Sequence, residues 1–475
     1  MTSANRYDAV VVGAGPNGLA AAITIAQAGR SVLVLEAKAK IGGGARTEEL
    51  TLPSFHHDVC SAVHPLALLS PFFRSLDLAT HGLQWVHPEA PLAHPLDDAP
   101  AVLLERSWEA TADELEEDAR SYRQLIGPLV RSWEKLVQEL LKPLGIPRHP
   151  FSLMRFVPRG IRSAISIATS WFKGRRARAL FAGNAAHAIF PLEHFSSAGF
   201  GLMLSMSGHA VGWPVVRGGS QAFTNALALY FESLGGTIKV NSPVSSVTDL
   251  PRTRAIFLDL TPLQLARIKG LSLPSRYRER LLRHRYGPGV FKVDWALEGP
   301  IPWKDPRCMR AGTLHLGGTL EEIAFAEREV WRGVPPLKPF VLVTQPSLFD
   351  PSRAPAGFHT AWAYCHVPNG CPVDMTQRIE EQVERFAPGF RDRILARHTM
   401  SPAAMEAYNP NYIGGDFAGG VQSFQQLFVR PLGRWQAYAT PMKGLYICSS
   451  SMPPGAGVHG MCGHLAAKKA LKEVL

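Results

Sequence analysis

The run Val10-Val11-Val12-Gly13-Ala14-Gly15-Pro16-Asn17-Gly18, with Glu36 closing the next apolar segment, constrains this chain more than any other feature. It predicts a strand, a tight glycine turn, a helix over Leu19 to Ala28, then Gly29 and a second strand over Ser31 to Leu35. Gly13 permits the turn, Gly15 lets the backbone approach a pyrophosphate, and Gly18 lets helix and strand pack closely. The pyrophosphate would rest on the turn through Pro16 and Asn17, where free N–H groups and the helix dipole favour negative charge. Glu36, beside Ala37, is placed to accept hydrogen bonds from an adenosine ribose. Three glycines alone also fit an ordinary turn in an α/β unit. Strand, helix, second strand and terminal acid together point to a dinucleotide.

At 475 residues the chain is long enough for two or three domains. No apolar run approaches the length of a spanning helix, and Met1 to Arg6 is polar, so neither a membrane span nor a signal peptide is expected. The expected location is cytoplasmic, or peripheral on a membrane. The six cysteines show neither C-x-x-C nor zinc spacing, which argues against disulfide-reductase chemistry and a metal site. Net charge is +11, and between Glu139 and Glu193 there are nine Lys or Arg and no acid. No nucleic-acid module accompanies that stretch, so no nucleic-acid partner is expected.

Dinucleotide-type elements recur in three separated pieces. After the first unit comes Gly42-Gly43-Gly44-Ala45-Arg46, a second glycine-rich approach. The α/β pattern returns at Trp213 to Ser220, with a helix over Gln221 to Leu234 and strands at Thr237 to Val240 and Ala255 to Leu260. It returns again as a strand at Gly444 to Cys448, a glycine loop, and a helix over Gly460 to Val474. Between these pieces lie one helical and one strand-rich insert. The expected fold is α/β: a Rossmann-like domain built from segments 1–75, 213–265 and 426–475, with a substrate domain of mixed β-sheet and helices from 76–212 and 266–425.

These residues resemble the flavin amine oxidase and phytoene desaturase superfamily along nearly the whole chain. The resemblance rests on Gly13-x-Gly15-x-x-Gly18 with Glu36, Gly42-Gly43-x-x-Arg46, Arg217-Gly218-Gly219 with its helix, and the C-terminal run Gly444 to Gly460. The stretches His57 to Pro65 and Phe291 to Leu297 look most like the phytoene-dehydrogenase-related branch, with the retinol saturase-like and pyridine nucleotide-disulfide oxidoreductase domain-containing protein 2-like proteins. The resemblance implies FAD as cofactor. It places Glu36 at the ribose, Gly42, Gly43, Ala45 and Arg46 along the pyrophosphate and ribityl chain, and Val244 at the adenine. Ser449 and Ser450 fall at the pyrophosphate, where the family often has Gly or Ala followed by a small polar residue, and Gly457, Val458 and His459 reach the isoalloxazine. The helix after Gly460 then aims its positive end at the flavin edge that becomes anionic on reduction.

Two departures bear on chemistry. Val458 stands where amine oxidases commonly carry an aromatic, which suits an apolar substrate better than a cationic amine. A second dinucleotide fingerprint is missing, so oxygen or a quinone is the expected electron acceptor. Catalytic candidates are His57, Asp58, His64 and His459, although the simpler reading has His57 and Asp58 pair and fix their loop. His209, Trp213 and Arg217 are candidates for the substrate cavity, with core packing the alternative for Trp213. Cys462 reads as a buried helix cysteine rather than a point of covalent flavin attachment. The segment 155–178, with an apolar helical face over Arg159 to Phe172 and basic flanks, reads either as a membrane-surface element or as a helix packed on the insert. The expected activity is hydride transfer from an apolar, carotenoid-, retinoid- or other lipid-like substrate. The alternatives are an amine or small-molecule oxidase and a flavoprotein without turnover.

Overall fold

A computed structural model describes residues 7–423, 426 and 437–475. Its first layer is a five-stranded parallel sheet in the order Leu445–Ile447, Thr253–Leu258, Tyr7–Val12, Val32–Leu35, Thr237–Lys239. The strands come from the start, middle and end of the chain, so the Rossmann-like sheet is assembled from discontinuous segments. The two neighbouring strands at its middle show no alternation of buried and exposed positions. Ala9 to Val12 and Val32 to Leu35 are buried throughout, as a parallel sheet covered on both faces requires. The helices Pro16–Ala26 and Met461–Glu473 pack together, and a Cβ on Gly463 would lie 1.8 Å from the Asn17 carbonyl oxygen. The expected segment boundary at residue 425 lies outside the described residues.

The second sheet has seven strands, ordered Ile394–Met400, Gly289–Leu297, His359–Val367, Val341–Thr344, Ala311–Leu316, Ala90–His94, Val102–Leu104. All neighbours are antiparallel except Ala311–Leu316 against Ala90–His94. Two strands therefore come from the segment expected to be helical. Side chains alternate across this sheet. One face, with Phe291, Val293, Trp295, Leu314, Val343 and Ala363, forms an apolar core with Ile379, Val383 and Phe386 of helix Thr376–Phe386. The opposite face carries Lys292, Thr313, Thr344, Trp362 and Tyr364, which line a cavity.

Helices Ala119–Val130, Pro150–Gly160, Ala164–Trp171, Arg175–Ala186 and Ser197–Ala210 form the helical layer. This corrects the expected single helix over Arg159 to Phe172. The chain breaks at Ile161 to Ser163, where Ser163 Oγ accepts the Ser166 N–H and starts a new helix. Its apolar residues Ala164, Ile167 and Ala168 are buried, not offered to solvent. The acid-free stretch of sequence is not acid-free in space either. Arg175 pairs with Asp98 at 2.7 Å, Arg176 with Glu116 at 3.3 Å, and Lys142 with Glu139 at 2.6 Å. Among the described residues no helix is long and apolar enough to cross a membrane.

Candidate functional site

One cavity of about 670 Å³ runs from the glycine turn and Glu36, past Val244, to Gly457, Val458 and the polar face of the seven-stranded sheet. At the dinucleotide end, Glu36 is buried and already engaged. One carboxylate oxygen accepts the Ala14 N–H at 2.9 Å; the other accepts the Lys38 N–H at 3.0 Å and lies 3.3 Å from the Arg46 guanidinium. Arg46 also donates to the carbonyls of Lys40 and Ile41, so it braces the second glycine loop while lining the cavity. Gly43, at φ +56, brings that loop so near the first turn that a Cβ would sit 3.1 Å from Gly15 Cα. Gly18 and Gly42 lie behind the wall: a Cβ on Gly18 would fall 2.0 Å from the Gly13 carbonyl oxygen, and one on Gly42 2.8 Å from that of Ala45.

Gly13, Gly15, Pro16, Asn17, Ala37, Ala45, Val244, Ser449, Ser450, Gly457 and Val458 all face the cavity. Asn17 Oδ1 and Ser449 Oγ are buried with no hydrogen-bond partner among the described residues, and both belong to lining residues. Orphaned polar atoms on a narrow glycine-walled crevice fit an extended dinucleotide that would bond them. The helix Met461–Glu473 starts directly after this wall and points its positive end toward Gly457 and Val458.

Several candidates lie elsewhere. His459 does not line the cavity: its Nδ1 accepts the Met461 N–H and its ring is buried, fixing the helix start. His57 and Asp58 also lie behind the wall. Asp58 accepts from Arg353, Thr47 and the Ser220 N–H, and burial, which raises its pKa, is outweighed by Arg353, which holds it low. His57 contacts Thr51 at 2.7 Å and lies 3.6 Å from Asp294. Both residues fix their loop, though through these partners rather than through each other. His64 does reach the cavity, with Nε2 2.8 Å from Ser220 Oγ; burial pushes its pKa down to about 4, so it is neutral near pH 7. His209 is removed from the cavity, held between the Tyr122 hydroxyl and the Glu105 carbonyl. Arg217 is exposed on the surface. Trp213 lines the cavity with its indole N–H donated to Ser207. Cys462 is buried within the C-terminal helix.

Sequence reasoning misses the sheet's contribution. Lys292, only 1% exposed, pairs with Asp294 and stands 5.1 Å from the Trp362 ring. His187, from the helical layer, meets His315 at 2.9 Å, and burial lowers its pKa to about 3. Asp259 is likewise missed. It follows the strand Thr253–Leu258, lines the cavity, and accepts the Gly18 N–H at 3.0 Å. The available signal is a set of polar residues, Lys292, Asp294 and Asp259, within or just after otherwise apolar strands.

Comparison with known proteins agrees with this geometry. The NAD(P)-binding Rossmann-like domain family matches residues 11–76. The chain is 26% identical to pyridine nucleotide-disulfide oxidoreductase domain-containing protein 2 of Rattus norvegicus, over 99% of this chain and 94% of that protein. It is 22% identical to a limonene dehydrogenase polypeptide of Castellaniella defragrans over 100% of this chain and 96% of that one. It is 24% identical to a neurosporene-forming phytoene desaturase of Rhodobacter capsulatus over 52% of this chain and 51% of that one. The phytoene dehydrogenase-like resemblance stands. Among solved structures, putrescine oxidase bound to putrescine superposes with a TM-score of 0.63 at 19% identity, covering 98% of this chain and 99% of that one. An oxidoreductase from Methanosarcina mazei superposes at 0.64 with 15% identity, covering 98% and 100%. In sequence the chain is similar to these oxidoreductases, and in fold it is similar to the oxidase structures.

Proposed function

We propose that this chain is an FAD-dependent oxidoreductase acting on C–H bonds of a neutral, largely apolar substrate, with oxygen or a quinone as final acceptor. The observation that carries the substrate class is the charge pattern of the cavity wall. Its carboxylates among the described residues, Glu36 and Asp259, both sit at the dinucleotide end. The sheet end offers Val290, Leu342, Trp362, Tyr364 and Phe417, with Lys292 as its ammonium. A cationic amine would find a like charge there and no carboxylate on the wall to receive it. A neutral hydrocarbon would find apolar and aromatic surface.

Bound FAD supplies a two-electron hydride acceptor. The chain's own contribution is to hold the substrate C–H against the cavity end near Val458, exclude water, and place the positive end of the C-terminal helix beside that site. Leu66, Leu204 and Trp213 close the apolar side of the cavity. The FAD-loaded protein, mixed anaerobically with phytoene or limonene, loses its oxidised flavin absorbance; mixed with putrescine or cyclohexylamine, it keeps it. Bleaching by the amines alone overturns the substrate class.

An apolar substrate has to be delivered, and the surface that fits this task is the helix Pro150–Gly160. Phe151, Met154 and Val157 are 77%, 68% and 40% exposed on one helical face, next to Ile146 at 92% and Leu144 at 65%. Arg148 and Arg155 are exposed, Arg159 stacks over Trp171, and Arg162 bonds Ser166, with none of the four in an ion pair among the described residues. Apolar side chains rimmed by such arginines fit an anionic bilayer surface. A second copy of the chain fits poorly, because two-fold pairing would set these arginines against themselves. The helix packs on Ser197–Ala210, whose Leu204 lines the cavity.

A further inference from the structure

Asp259 sits where a dinucleotide's charge would come closest. Its carboxylate caps the first helix from another strand, accepting the N–H of Gly18 at 3.0 Å. A Cβ on Gly15 would lie 3.0 Å from the same oxygen, and one on Gly13 would lie 3.1 Å from Asp259 Cβ. The carboxyl therefore rests against the glycine turn that the dinucleotide reading assigns to the diphosphate. Its surroundings hold no compensating cation among the described residues. The end of the second strand brings Glu36, itself anionic and tied to Arg46. The strand Leu445–Ile447 brings Cys448, a thiol that burial pushes well above its ordinary range. From the 409–412 loop, the Asn411 amide donates to the Asp259 main-chain carbonyl, not to the carboxyl. Arg267 and Lys38 line the same cavity without pairing with it among the described residues. Burial, helped by Glu36 against the Gly18 hydrogen bond, pushes the Asp259 carboxyl up to about 7.

We propose that Asp259 is a cofactor-binding residue that meets the FAD diphosphate as the neutral acid, so that FAD binding is linked to holding one proton on this carboxyl. This rests on the FAD reading above. In the neutral form one oxygen keeps the Gly18 hydrogen bond while the O–H is free to donate to an anionic oxygen. An ionised carboxylate would instead face two phosphate charges in a buried crevice. The sign of the linkage follows. Bound FAD raises the Asp259 pKa above its value in the free protein, so affinity is complete below that free value and falls as pH rises through it.

The test is the FAD affinity of the full chain, stripped of flavin and re-titrated by flavin fluorescence from about pH 6 to about pH 9. The dissociation constant of the unaltered protein is expected to stay level up to about pH 7 and then to rise roughly tenfold per pH unit. Asp259→Asn keeps both hydrogen-bonding roles without a titrating proton; its affinity should match the unaltered protein's at low pH and stay level throughout. Calorimetry in buffers of different ionisation enthalpy should show proton uptake on FAD binding near pH 8, absent in the variant. A level profile in the unaltered protein, or a slope that survives in Asp259→Asn, overturns the proposal while leaving FAD binding intact. Failure of both proteins to bind FAD at any pH overturns the FAD reading itself, and this proposal with it.

Discussion

Lys292 and Asp294 point from the same face of a central strand, two residues apart, into an environment that excludes water. Burial alone would raise the Asp294 carboxyl, but Lys292, with His398 and His57 nearby, holds it below its ordinary range. The ammonium lines the cavity, whereas the carboxylate behind it supplies the compensating charge. Removing one partner strands the other. Lys292→Met is expected to cost about 3–5 kcal/mol of unfolding free energy, read from urea denaturation, because Asp294 is left uncompensated. The double variant Lys292→Met/Asp294→Leu should recover most of that loss. Equal stability of Lys292→Met and the unaltered protein would show that the pair is not coupled. Such pairs are hard to foresee, since alternation along a strand indicates which residues share a face but not which face a cavity will occupy. The glycines are easier to interpret. Gly13, Gly15 and Gly18 each have a local geometric duty that follows from lacking a Cβ.

Among elements, those with a strong local signal are legible in the sequence. The helix Ser220–Ser233, the strand Thr237–Lys239 and the helix Met461–Glu473 fall within a residue or two of their expected bounds. The helical insert does not. Ser163 sits inside an apolar periodic run that continues the helical pattern, yet its side chain caps a new helix. That break shifts the exposed apolar face upstream to Phe151, Met154 and Val157, while Ala164, Ile167 and Ala168 are packed inside. The consequence is testable on this helix alone. Phe151→Asp/Met154→Asp changes only exposed positions and should leave folding and flavin content unchanged. It should, however, abolish co-sedimentation with vesicles of phosphatidylcholine and phosphatidylglycerol, where each arginine near the surface contributes about 1 kcal/mol. Binding that survives the double variant, or that is equal on purely neutral vesicles, would reject an anionic bilayer as this surface's partner.

Across the whole molecule, three sequence segments close one parallel sheet, and a second sheet lays its polar face over the crevice so formed. The segmental origin of the first sheet is readable from glycine signatures at both ends of the chain. The second sheet's recruitment of Ala90–His94 and Val102–Leu104 is not, because two short apolar strands beside helices carry no pairing information until a partner edge is folded. The same limit explains why His209 and Arg217, close in sequence to Trp213, lie away from the cavity that Trp213 lines. Substrate class, proton linkage and helix dipole all depend on one FAD occupying this crevice. Its presence is read from the cofactor content of the purified full chain, released by denaturation and identified by chromatography and absorbance. The expected result is FAD approaching one per chain, freed without proteolysis. A chain that binds NAD or NADP in its place, or that takes up no FAD when supplied with it, would contradict the assignment.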